Sequence, residues 1–193
     1  MFNEISKAAD SVSSALTAAA NAVDNLGAKG RYMVQCLDAD GNLKWETEVE
    51  DNLVVNVGLK DMNDKYFAGS SYSATWYLGL ITGPGVTTSA SDTMSSHAGW
   101  TEFTGYSQST RVTCSFGSAT TANPSVITNS SSPAAFSITS TGTIGGAFLA
   151  SNSTKSGTTG ILFSEKAFSS PGDRSVVNGD TLTVTYTFSL TAT

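Results

Sequence analysis

The sequence predicts a mainly β protein, an antiparallel β-sandwich or jelly-roll-like body with an N-terminal helical arm and one short helix. Short runs of alternating polar and apolar residues recur between clusters of Gly, Asn, Pro and Ser, which is typical of antiparallel strands. Only 13% of the 193 residues are charged, and Ser and Thr are abundant, as in turn-rich β proteins. One long helical pattern stands at the start. We therefore expect two parts, a helical arm over residues 1–29 and a β-rich body over residues 30–193.

The first element is a helix from Asn3 to Leu26, because its apolar residues recur at helical spacing and Gly27 follows as a stop. The stripe is narrow and rich in alanine, so the helix buries too little area to be stable alone. It needs a partner surface, either on its own body or on a neighbouring subunit of a symmetric homo-oligomer, for which we favour a trimer. We expect it to serve assembly more than folding of the body. The larger side chains of the stripe are candidate interface residues: Ile5, Val12, Leu16 and Val23.

A hinge is expected at residues 27–30, followed by a β-hairpin. Alternating residues on both sides of Asp38-Ala-Asp-Gly-Asn42 predict two strands joined by a turn that contains Asp-Gly. The turn begins like a calcium loop, but the motif's glycine is misplaced and its final glutamate is missing, so we expect no metal there. A strand from Leu53 to Val55 then leads into the next helix.

The middle of the chain predicts a short helix followed by a central strand. The helix is capped by Asn56 and stopped by Gly69, and its apolar residues share one face. The run from Thr75 to Ile81 is apolar at nearly every position, which predicts a strand covered on both faces. Gly79 interrupts this run where a neighbouring backbone or large ring can approach closely. The helical face comprises Leu59, Met62 and Tyr66.

The rest of the chain predicts a long Ser- and Thr-rich loop and then a series of short strands. The loop, residues 83–99, is expected to be functional or to lie over a partner. The later strands are expected at residues 111–116, 134–138, 146–150, 160–163 and 181–190. The last strand alternates most regularly, and one of its faces is expected to carry Leu182, Val184, Tyr186, Phe188 and Leu190.

Charge and cysteine content narrow the function. A formal net charge of −6 makes nucleic acid or an anionic membrane an improbable partner, and no segment approaches the ~20 apolar residues of a membrane span. The start lacks a signal-peptide pattern, so we expect assembly in a cytoplasm. Cys36 and Cys114 lie in alternating apolar patterns, which favours two buried thiols over a disulfide.

Few residues suggest chemistry. His97 is the only histidine, and neither a nucleophile elbow nor zinc-ligand spacing accompanies it. We expect no cofactor, no metal and no enzyme activity. Trp100 and Tyr106 are candidates for an interface or a sugar-binding platform, with burial of both rings as the alternative. A glycosidase-like carboxylate pair stays open among five sparse acids: Asp92, Glu102, Glu165, Asp173 and Asp180.

Four segments carry a family resemblance. They are Asn52-Leu-Val-Val-Asn-Val-Gly with the helix after it, the stretch from Gly69 to Ile81, Asp92-Thr-Met-Ser-Ser-His-Ala-Gly-Trp-Thr-Glu102, and Arg174-Ser-Val-Val-Asn-Gly-Asp-Thr-Leu-Thr-Val-Thr-Tyr-Thr-Phe. In their order along the chain and in their residues, these segments resemble a group of small virion-associated proteins of tailed bacteriophages. The likeness covers roughly residues 40 to 190 and leaves out the N-terminal helix.

The resemblance implies a component of the virion. Within that setting we expect a capsid cement or decoration protein that binds the outer shell and stabilises neighbouring subunits of the major capsid protein. The low charge, the β-rich body and the separate arm suit this role. A tail or fibre component that recognises host surface glycans is the alternative, and a glycan-cleaving enzyme is a third.

Overall fold

The computed structural model describes residues 26–69, 75–169 and 172–192. The predicted arm helix lies outside the described residues except for its last residue, Leu26, which belongs to a strand and not to a helix. The candidate interface residues Ile5, Val12, Leu16 and Val23 also lie outside the described residues. Within them the elements are β1 (Leu26–Leu37), β2 (Leu43–Glu46), β3 (Glu50–Asp51), β4 (Leu53–Val54), α1 (Asn56–Tyr66), β5 (Trp76–Thr82), β6 (Glu102–Phe103), β7 (Val112–Cys114), β8 (Ser125–Thr128), β9 (Ala134–Ser137), β10 (Gly142–Ala150), β11 (Leu162–Ala167), β12 (Arg174–Val176) and β13 (Thr181–Ala192).

The strands form two antiparallel sheets. The first sheet has the order β2-β1-β13-β8, with β3 on β1 and β9 on β13. Its centre is the pair β1 and β13, which runs in register from Leu26 opposite Ala192 to Leu37 opposite Thr181. The second sheet has the order β4-β11-β10-β5-β6, with β12 on β10 and β7 on β5. The predicted mainly β fold is therefore confirmed.

The main core lies between the two sheets. Leu182, Val184 and Tyr186 of β13 are fully buried there, which confirms the alternation expected for this strand. The Tyr32 hydroxyl lies 2.8 Å from the Ser164 hydroxyl of the second sheet, and the Ser164 hydroxyl is 3.2 Å from that of Tyr186. These hydroxyls satisfy one another inside an apolar layer, as buried polar groups must.

The strand β5 is central in the second sheet, as its apolar run predicts. It pairs with β10 on one edge and with β6 and β7 on the other. Leu78 and Leu80 face the main core, whereas Ile81 belongs to a second apolar cluster on the opposite face. The ring of Phe148 crosses Gly79 so closely that a Cβ there would overlap it. The expected close approach at Gly79 is confirmed.

Two local predictions are wrong. Residues 27–30 are not a hinge, because they continue β1 and pair with β13, Gly27 opposite Thr191 and Gly30 opposite Phe188. A Cβ at Gly30 would overlap the side chains of Asn52 and Tyr186. This glycine therefore serves close packing inside a strand, and not the flexible link that its composition suggested.

The helix α1 also differs in detail from the prediction. Its N-cap is Val55, with no side-chain hydrogen bond. The side that faces the sheet is centred on Gly58, where the helix backbone comes so close to Phe163 that a Cβ would overlap its carbonyl. Consequently Leu59 is 39% exposed and Tyr66 is 84% exposed. The orientation of the helix is therefore set by the close backbone contact at Gly58, and not by the larger apolar side chains Leu59 and Tyr66.

Candidate functional site

The long loop after β5 covers the outer face of the second sheet. Its residues Met94 and Trp100 are buried against Ile81, Phe148 and Leu162, which all point away from the main core. The backbone of the loop is fixed at its base, where Thr87 donates to the Gly99 carbonyl at 3.0 Å. The loop therefore lies over its own sheet, and both faces of that sheet are covered.

A buried carboxyl lies beneath this loop. Glu165 of β11 is fully buried; its Oε1 accepts a hydrogen bond from the Ser89 backbone N–H at 2.9 Å, and its Oε2 accepts one from Trp100 Nε1 at 2.7 Å. It is also hydrogen-bonded to the carboxyl of Asp92. Two carboxyl groups can bond in this way only if a proton lies between them.

The pKa of Glu165 is raised to about 7, mainly by burial and also by the nearby Asp92 carboxyl, while the N–H donors of Ser89 and Trp100 act in the opposite direction. A carboxyl group loses solvation when it is buried, so the charged form is disfavoured. The pair Glu165 and Asp92, which we call the acid pair, therefore binds a proton near neutral pH.

His97 stacks on Trp100. The two rings lie 3.8 Å apart at an angle of 17°, and His97 Nδ1 is 3.1 Å from the Trp100 carbonyl oxygen. A carbonyl oxygen only accepts, so Nδ1 carries the hydrogen in this contact. On its other side Trp100 contacts Phe148, with ring centroids 4.9 Å apart. The histidine thus holds the tryptophan that donates to Glu165.

A buried ion pair beside the acid pair joins β6, the segment before β7 and the loop between β10 and β11. Arg111 and Glu102 have side chains that are 1% and 4% exposed, and Arg111 Nη2 lies 2.8 Å from Glu102 Oε2. Arg111 also donates to the carbonyls of Asn152 and Gly157, at 2.9 and 3.0 Å. Glu102 further accepts the Ser156 N–H at 2.7 Å. Several hydrogen bonds to the same charged groups offset the free-energy cost of burying them.

A small cavity of about 230 Å³ opens between His97 and Arg111. The guanidinium of Arg111 lies 5.1 Å from the centre of the Phe148 ring, so the ion pair and the acid pair flank one aromatic side chain. Most of the N–H groups of Arg111 donate hydrogen bonds to other groups of the protein. The ion pair therefore connects the loops to the sheet. No cluster of three metal-ligating side chains occurs among the described residues. The cavity is lined by Met94, His97, Trp100, Thr101, Glu102, Arg111, Ser156, Gly157 and Thr158.

The two aromatic interface candidates are both buried. Trp100 is 5% exposed and Tyr106 is 3% exposed. Tyr106 packs edge-on against Phe136, at 4.9 Å between centroids, and the Lys155 ammonium lies 3.7 Å from the centre of its ring. Neither ring offers a face to a sugar, so the alternative of burial is correct. Trp100 is drawn inward by its bond to Glu165, which the sequence pattern did not indicate.

Four of the five acids fall into three environments. Asp92 and Glu165 meet, while Glu102 is held by Arg111. Asp180 binds the Lys44 ammonium at 2.6 Å and the Val177 N–H at 2.9 Å. Burial opposes the negative charge of Asp180, but these two donors outweigh it and lower its pKa. Sequence reasoning missed Arg111, because a single arginine at the start of a short strand has no pattern that marks it as buried.

A larger concave surface lies at one end of the sandwich, between α1 and β8 and β13. It has a volume of about 900 Å³, and we call it the end groove. Trp76 and Phe163 lie in it, with their rings 5.3 Å apart. Tyr66 and Phe67 line it and are 84% and 79% exposed. The groove is lined by Leu26, Asp61, Met62, Asn63, Lys65, Tyr66, Phe67, Trp76, Phe116, Ile127, Leu149, Phe163, Tyr186, Phe188 and Leu190.

Comparison of the chain with protein-family profiles, with curated proteins and with solved structures found no match. In the part of the chain that the structure describes, no helix has the length and apolar character needed to cross a membrane.

Proposed function

We propose that this chain is a structural component of a tailed-bacteriophage virion, a capsid cement protein that binds the outer shell and stabilises neighbouring subunits of the major capsid protein. The observation that carries the proposal is the resemblance of four segments to small virion-associated proteins. Three of them, around β4 and α1, in β5, and in residues 92–102, belong to the second sheet and its covering layer. The fourth segment, residues 174–188, runs from β12 of the second sheet into β13 of the first.

The internal bonding of this layer is consistent with a static binding module. Glu165 of the acid pair accepts a hydrogen bond from Trp100 of the covering loop. Glu102, which follows this loop in the sequence, is held by its ion pair with Arg111. A decoration protein stabilises a shell only if its own contact surface keeps its shape, because ordering that surface on binding costs free energy. Contacts with the shell would then come from the exterior of this layer and from the sheet edges.

The test uses particles made by the phage genome that encodes this sequence. We expect the protein in purified virions, with density at symmetric positions on the head. Virions that lack it should release their DNA at a lower temperature, and adding the purified protein back should restore the wild-type temperature. Add-back of a heat-unfolded sample is the matched control.

Density at the tail or fibre, with binding of the purified protein to host surface glycans, would replace the cement role with the alternative. No observation favours that second role, since both aromatic side chains expected to form a sugar platform are buried. Absence of the protein from virions would refute both.

A further inference from the structure

Within residues 26–69, 75–169 and 172–192, no segment covers the apolar side chains of the end groove. Seven large apolar side chains are exposed among the described residues, and three of them, Leu26, Tyr66 and Phe67, line this one groove. Single exposed apolar residues are ordinary, but a concentrated patch beside a groove marks a binding surface. The groove therefore has the character of a binding surface.

The chain itself supplies a candidate at the edge of the groove. Leu26 lines the groove and is 74% exposed. It is the first residue of β1, so the described body begins at the groove. Twenty-five residues precede it in the sequence. Their pattern is that of an amphipathic helix whose stripe of alanines and larger apolar residues needs a partner surface.

We propose that the end groove is the docking site of residues 3–25 of the same chain, of which residues 3–23 bind it as a helix with the apolar stripe against Tyr66 and Phe67. A helix of about 21 residues spans about 32 Å, close to the diameter of a small domain, so it can cross the end of the sandwich. The small side chains of the stripe permit close approach to the exposed rings. Asp24 and Asn25 are enough for the connection, since links of two residues are common.

Attachment favours this occupant over the others. A segment joined at the edge of its own groove acts at a millimolar effective concentration, whereas the arm of a second copy must compete with it from solution. Residues 70–74, which lie close to Trp76 in the sequence, contain only one large side chain, Tyr72. The inference does not depend on the proposed function, because it concerns a contact within one chain.

The test is hydrogen exchange of the full-length chain, measured by mass spectrometry on residues 3–25. We expect slow exchange in the wild type and about tenfold faster exchange in Leu16→Asp, because a charge in the stripe shifts the docked population. Ser14→Asp, on the opposite face of the same helix, is the matched control and should exchange as the wild type does. Phe67→Ser, which changes an exposed side chain of the groove, should accelerate exchange as Leu16→Asp does.

Circular dichroism checks that each variant is folded, and Phe67→Ser tests the proposal should Leu16→Asp fail to fold. Unprotected residues 3–25 in the wild type would overturn the inference. So would equal exchange in Leu16→Asp and Ser14→Asp. Protection that weakens on dilution, together with an oligomer that Leu16→Asp reduces to a monomer by light scattering, would assign the groove to the arm of a second copy.

Discussion

Replacing the buried acid Glu165 with glutamine should remove a pH dependence of stability that the wild type has near neutrality. The ordinary pKa of glutamate is 4.5, and in the folded protein that of Glu165 is about 7. The folded state thus holds a proton that the unfolded chain releases above the lower value. Stability from this group is fully present below pH 4.5 and is lost as the pH rises towards 7.

The expected size follows from the difference in pKa. One pH unit of difference corresponds to about 1.4 kcal/mol, so the free energy of unfolding of the wild type should fall by up to about 2.5 kcal/mol between about pH 5 and about pH 8. Glu165→Gln cannot ionise, so its curve should be flat in this range. At acidic pH the variant should be less stable than the wild type by about 1–2 kcal/mol, because its amide N–H meets one of the two N–H donors from Ser89 and Trp100.

Urea unfolding at several pH values, followed by tryptophan fluorescence, measures this difference. Glu48→Gln makes the same change of charge at an exposed position and should keep the wild-type slope. Asp92→Asn removes the carboxyl that helps to raise the pKa of Glu165, so the fall in stability should move to lower pH. A wild-type slope that survives in Glu165→Gln would refute the assignment of the proton to this carboxyl.

Three further predictions concern packing and reactivity. Gly79→Ala should destabilise the fold by about 1–3 kcal/mol, since its Cβ would overlap the Phe148 ring; adding Phe148→Leu should give a total loss smaller than the sum of the two single losses in urea titrations, and strict additivity would contradict the overlap. Leu80→Ala, at a fully buried position, should cost about 3 kcal/mol in the same titrations, and an unchanged midpoint would place Leu80 outside the core. Cys36 and Cys114 are free and buried, and burial raises the pKa of each thiol to about 12. A thiol reagent at about pH 8 should therefore label them at least ~1,000-fold more slowly in the native protein than in urea; rapid native labelling would show that they are accessible.

Much of the fold followed from the sequence because long alternating or apolar runs leave few options. The alternation of β13 and the nearly continuous apolar run of β5 each predicted the correct strand and burial. The hairpin turn was also correct, since Gly41 adopts φ of 84°, a conformation that favours glycine. The Asp38 carboxylate accepts hydrogen bonds from the N–H groups of Asp40 and Asn42, which gives the carboxylate a role in the turn itself.

The missed features depend on contacts between distant segments. Strands β6, β8 and β12 have two to four residues, which is too short for a periodic signal. Gly30 and Gly58 resembled a hinge and an ordinary helix position, yet each fits beside a neighbour more than a hundred residues away, Tyr186 and Phe163 respectively. The acid pair joins residues of a loop and a strand whose sequence positions give no hint of proximity. Such sites arise from tertiary packing, which local patterns do not contain.

The central place of β13 in the first sheet has a consequence for the order of folding. β1, β8 and β9 all hydrogen-bond to β13, so none of them has its full set of backbone partners before residues 181–192 are available. During synthesis on the ribosome, the Tyr32 side of the core would stay open until almost the whole described chain had emerged. Contacts of such large sequence separation slow folding, and a chain stalled before β13 would expose unpaired strand edges that favour aggregation. Loss of the final strand should therefore reduce the yield of soluble protein far more than the loss of twelve residues from any loop.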